Sequence, residues 1–154
     1  MKKILIFLAL FSLALAEEEN AKVVYDLTTS NVAEFEKNIL KGVVAHKEYY
    51  AGKFKELDVA VVIHGGAYKF FVKDIKSTKF KSDTNLLQNF SQLKKRIRSM
   101  HETYDVSFFM CEIGMRHNDL TPQKIVNFVH IVPNSAIALI DKQNEGFAYL
   151  PVRK

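Results

Sequence analysis

The chain has 154 residues, a formal charge of +5, one cysteine and no tryptophan. That length suits one domain with a single core. A lone cysteine excludes a disulfide within the chain, and the basic balance comes without a nucleic-acid-binding motif, so nucleic acid is not an expected partner.

Met1, Lys2 and Lys3 form a basic head, residues 4–13 an apolar run, Ala14-Leu15-Ala16 a small-x-small cleavage site, and Glu17 to Asn20 a polar exit. This order reads as a cleavable signal peptide over residues 1–16, with one domain over residues 17–154 in a periplasmic or secreted protein. The apolar run is shorter than the roughly 20 residues that span a bilayer, so no membrane association is expected after cleavage. An uncleaved anchor is the alternative. Losing Lys2 and Lys3 lowers the formal charge from +5 to +3, and the surplus lysines read as a solvated surface.

Residues 22–28 read as a first strand, rich in β-branched and aromatic residues. Asn31 then caps a helix, with Glu34 placed to close a capping box. Val32, Phe35, Ile39, Val43, His46 and Tyr50 recur at helical spacing, and Gly52 stops the helix. Residues 57–63 form a second, almost wholly apolar strand. His64-Gly65-Gly66 and a short helix over residues 67–72 follow it. Residues 73–84 are polar, lysine-rich and expected to form a surface loop.

Leu86, Phe90, Leu93, Ile97, Met100 and Tyr104 mark another helix, and the basic run from Lys94 to Arg98 lies mostly off that stripe as a solvated face, with an anion site as the alternative. A strand buried on both faces ends at Cys111, followed by a polar stretch to Pro122. A helical turn near residues 122–127, a strand over residues 130–133, a helix capped by Asn134 and stopped by Gly146, and a last strand over residues 147–150 complete the chain. Alternating strands and helices predict an α/β fold with a mainly parallel sheet and helices on both faces.

The chemistry-bearing residues fall at strand ends, where open α/β sheets bind ligands. The Cys111 thiol is open to three readings: an inert buried group, an interchain disulfide or a reactive thiol. His64, at the end of another strand, is placed to stabilise the thiolate, while Glu112 opposes it. Gly65 and Gly66 allow close backbone approach to an anion, or simply make a tight turn. Asp26 and His117 are placed at the rim of the same crevice, with a structural role for Asp26 and a surface role for His117 as the alternatives. The histidines lack metal-binding spacing, so neither a metal nor a cofactor is expected.

Four blocks carry a family resemblance: residues 22–25, residues 62–71, Phe108 to Cys111, and residues 131–149. In this order they resemble the exported single-domain branch of the DsrE/DsrF-like family. The resemblance implies a three-layer α/β/α sandwich with a five-stranded parallel sheet. It also implies a homo-oligomer, trimer or hexamer, and a cysteine that carries sulfur as a persulfide between donor and acceptor proteins. On that reading Cys111 is the sulfur-carrying residue, and His64, Gly65 and Gly66 line its pocket. Ile113 and Gly114 stand where the branch has a polar pair. The alternatives are a non-catalytic small-anion binding module and a structural oligomer with an inert cysteine.

Overall fold

The computed structural model describes residues 20–153, so the leader read over residues 1–16 lies outside the described residues. Five strands form one all-parallel sheet: β1 (Ala21–Leu27), β2 (Leu57–Ile63), β3 (Val106–Cys111), β4 (Val129–Val132) and β5 (Ala148–Val152). Their order across the sheet is β4-β3-β2-β1-β5. The expected α/β architecture is therefore present, with the first strand in the interior and the last at one edge.

The alternation of side chains along each strand divides the core in two. Val23, Tyr25, Leu27, Val59, Val61, Ile63, Phe108 and Met110 belong to the larger core. It is completed by Phe35, Ile39 and Val43 from α1 (Val32–Phe35), a π-helical segment (Glu36–Lys41) and α2 (Gly42–Ala51), and by α3 (Thr84–Glu102). All five apolar residues of the α3 stripe from Leu86 to Met100 are buried, because their spacing keeps them on one side of the helix. Asp83 fixes where that helix begins, its Oδ1 accepting from the Leu86 amide at 3.0 Å. The second core is small: Val24, Ala60, Val62 and Ala138, covered by α5 (Ser135–Asn144).

This unequal cover corrects the reading of β3. Ser107 is exposed and Phe109 only half-buried, since among the described residues the ten-residue α5 is the helix that packs on that face. Other departures have local causes. The helix after β1 is not regular. The Gly42 amide bonds Lys37 O, five residues back, which makes the π-helical segment. Asn31 caps as expected, but Glu34 does not close the box: it accepts from Asn38 at 3.0 Å, while the Asn31 amide bonds Thr29 Oγ1 at 3.0 Å. Gly52 ends α2 in a right-handed conformation, and the left-handed residue is the exposed Phe54, with φ 57°.

Residues 73–84 are not an open loop. Two 3-10 turns, Ile75–Ser77 and Lys79–Ser82, are capped by Asp74 and Thr78 and bury Ile75 and Thr78. The polar stretch after Cys111 begins as a helix, α4 (Glu112–His117). β5 runs on through Pro151 to Val152, which an edge strand tolerates because one side of its ladder is unpaired.

Aromatic packing stitches the larger core together. Phe35 stacks on Phe70 at 4.4 Å between ring centroids, and Phe108 lies between Phe71 at 5.3 Å and Phe128 at 5.9 Å. Truncating Phe108 to alanine removes both contacts and leaves a cavity. Urea unfolding should show a loss of about 3–5 kcal/mol for Phe108→Ala, but a change within about 0.5 kcal/mol for Phe54→Ala, whose ring packs on nothing. Similar midpoints for the two variants would refute this division of the core.

Candidate functional site at the carboxyl edge of the sheet

Cys111 is the last residue of β3 and the residue before the first turn of α4. It is buried, with 6% of its surface exposed. Burial pushes the thiol pKa up, but the Gly114 amide, the Ser135 amide, the Tyr68 hydroxyl and the Ile113 amide act against it, and the net direction is down. The thiol therefore faces the first turns of two helices, α4 and α5. Both present amide protons and the positive end of the helix dipole, which favour a thiolate. No contact here is a conventional side-chain cap of α4; the amides act as oriented dipoles.

Tyr68 supports this arrangement from below. It lies in the 3-10 turn Ala67–Phe71 and is 1% exposed. Its hydroxyl donates to the Cys111 carbonyl at 3.0 Å. That single proton serves the carbonyl in this geometry, so the amides are the more durable partners of the sulfur. Burial, then the neighbouring thiolate charge and hydrogen bond, push the Tyr68 pKa up and keep it a donor. A Cβ at Gly114 would stand 2.1 Å from Tyr68 Oη. Only glycine lets the first turn of α4 close over the tyrosine. The residue standing in place of an expected polar side chain thus has a steric reason to lack one.

His64 and Cys111 follow the paired residues Ile63 and Met110 at the ends of adjacent strands, as their placement in the sequence predicts. The expected partnership does not form. His64 Nε2 bonds Asp26 Oδ1 in a very short contact, so the imidazole is engaged with a carboxylate on the side of β1. Asp26 is 4% exposed and sits at the centre of a network rather than at a rim. Its Oδ2 accepts from Tyr149 at 2.5 Å and from Arg153 at 3.5 Å. Burial pushes the Asp26 carboxyl up, but the Tyr149 and His64 hydrogen bonds, the His64 charge and Arg153 outweigh it and hold the pKa below the usual range.

The glycine turn is shaped by its neighbours. Gly65 has φ +60°, and a Cβ there would meet Thr28 O at 3.0 Å; at Gly66 it would meet Ser30 Cβ at 2.7 Å. The Gly66 amide already donates to Thr28 O at 2.8 Å. Close approach is thus real, but it is approach to the loop after β1, and the Gly66 amide is committed there. His117 ends α4 as an exposed residue whose carbonyl accepts from Lys79 at 3.3 Å; no contact joins it to Cys111. Tyr68, Tyr149 and Arg153 carry no signal of their own in the sequence, and Gly114 stands out there only as the place of a missing polar group. Spacing places a residue on an element, but the contacts here cross between elements far apart in the chain.

Known proteins resemble this chain in sequence and in fold. The family model described as "DsrE/DsrF-like family" matches residues 9–152. An uncharacterized protein of Aquifex aeolicus (strain VF5) is 31% identical over 97 residues, 63% of this chain. That match spans only 41% of the relative's length. The solved structure of MTH1491, a protein of unknown function from Methanobacterium thermoautotrophicum, superposes with a TM-score of 0.56 at 16% identity, covering 86% of this chain and 99% of that one. At that identity the likeness shows the fold alone.

The Asp26 network generates a pH dependence. A carboxyl whose pKa is lowered by folding stabilises fully above its unfolded pKa of about 3.9, and the contribution is lost as pH falls through the folded value. Asp26→Asn lacks this term throughout. The stability gap between wild type and variant, followed by urea unfolding, should be widest at about pH 5 and shrink steadily toward about pH 2.5. A gap unchanged over that range would show that the carboxylate charge plays no part.

Proposed function

Because the chain belongs to the DsrE/DsrF-like family, we propose that it is an exported sulfur carrier that holds sulfane sulfur as a persulfide on Cys111. The observation that carries this reading is the thiol held below its ordinary pKa, despite burial, by amides from two helix starts. The basic head, apolar run and small-residue cleavage site before Glu17 support export.

The chemistry asks little of the site. The Cys111 thiolate attacks the outer sulfur of a donor persulfide. One S–S bond forms, the donor's S–S bond breaks, and the donor leaves as a thiolate with no net oxidation. The Gly114, Ile113 and Ser135 amides that stabilise the thiolate would then face the charge of the terminal sulfur. A thiol with only 6% of its residue's surface exposed suits a one-atom cargo better than a bulky substrate. His64 acts with Asp26 at the neighbouring strand end, beside Gly65, and not as the thiolate's partner.

The same reading includes assembly with further copies of the chain, as a trimer or hexamer. Ile113 in the first turn of α4, and Ile137 and Ile140 on α5, are exposed. They lie on the two helices whose starts hold the thiol, so a neighbouring copy there would shield the persulfide from water. Sedimentation should give an oligomer that Ile137→Glu with Ile140→Glu dissociates. A monomeric wild type ends this part of the proposal.

The carrier function is tested by intact mass. The folded protein without residues 1–16 should gain one sulfur atom after incubation with a small sulfane-sulfur donor, lose it on reduction, and fail to gain it as Cys111→Ser. A wild type that never gains the atom leaves Cys111 as a packing residue.

A further inference from the structure

The basic run on α3 does more than face solvent. It forms one wall of a cavity of about 510 Å³, within the size range of small-molecule sites. Phe128, which lines it, directly precedes the first residue of β4, so the cavity lies by the amino end of that strand, away from Cys111. Lys94, Lys95 and Arg98 come from α3, Lys76 from the turn capped by Asp74, and Lys73 from the bend just before it. Among the described residues the one acid in the lining is Asp74, and its Oδ1 accepts from the Lys76 amide at 3.0 Å. The floor is apolar: Leu87, Phe90, Val126 and Phe128.

Two of these lysines are held in place without being neutralised. Lys94 donates to Lys73 O at 2.6 Å, and Lys73 donates to Gln123 O at 2.9 Å. Lys94 also stands 5.6 Å from the centre of the Phe90 ring. Carbonyl oxygens orient these ammonium groups but leave their charge uncompensated. Arg98 has a carboxylate partner, Glu102, at 3.2 Å; Lys76 and Lys95 are exposed. Gathering like charges in a concavity raises the local potential and works against the fold unless an anion offsets it.

We infer that this cavity binds a small amphiphilic anion, with a phosphate or carboxylate head among Lys73, Lys76, Lys94 and Lys95 and a short apolar body against Phe90, Val126 and Phe128. The site is independent of the sulfur chemistry.

Octyl phosphate, kept below its micelle-forming concentration, is the probe, and calorimetry on the folded protein without residues 1–16 is the readout. Saturable binding is expected, weakened about tenfold or more in Lys76→Gln/Lys95→Gln and unchanged in Cys111→Ser. Inorganic phosphate and octanol should each bind at least about tenfold more weakly, because each offers half of the recognition. Lys37→Gln/Lys41→Gln, which removes two lysines outside the cavity, should bind as wild type does. The inference is overturned if octyl phosphate does not bind, if the Lys76/Lys95 variant binds it equally well, or if inorganic phosphate matches it. It is equally overturned if only vesicles containing phosphatidylglycerol are bound, which would make the patch a membrane-facing surface.

Discussion

The contact on which the site depends is the passage of Tyr68 beneath Gly114. Tyr68 belongs to the turn after β2, and Gly114 to the helix after β3. The hydroxyl reaches the carbonyl of Cys111 at 3.0 Å, and no Cβ at residue 114 could coexist with it. This one contact joins two crossover connections above the ends of their strands. It fixes where the first turn of α4 lies, and therefore where its amides point. The thiol's environment is a consequence of backbone placement, not of a charged side chain recruited to activate it.

A second constraint acts beside it. The Asp26 carboxylate is buried, and a buried charge is tolerated only when paired and hydrogen-bonded. His64, Tyr149 and Arg153 meet that need. The imidazole is thereby committed to β1, and the two strand-end groups that look like partners in the sequence serve different purposes. One is a sulfur held by amides; the other belongs to an ionic clasp joining the first, second and last strands.

Much of this was legible beforehand. The β2 bounds match the apolar run from Leu57 to Ile63, and the α3 stripe is buried as its spacing requires, because burial and periodicity are linked within a single element. Asn31 and Asn134 cap their helices for equally local reasons. The helix after Cys111 was hidden because Glu112 to His117 carries one buried apolar residue, Met115, and so no stripe. The destination of His64 was hidden because the register that brings it near Asp26 is set by the pairing of β1 with β2, which no local pattern records. Gly114 could be seen only as a missing polar group, since its reason is a ring 46 positions earlier.

The position of β1 bears on how the chain reaches this state. It lies between β2 and β5, and the clasp on Asp26 draws on residues 149 and 153. Of the five strands, β1 is made first and its second neighbour, β5, after all the others. Until the C-terminal residues emerge, one flank of β1 has no ladder, and the Asp26 carboxylate lacks two of its donors. Such distant pairing slows folding. It also leaves the sheet open along one flank of β1, and the Asp26 carboxylate only partly clasped, until residues 148–153 have been made.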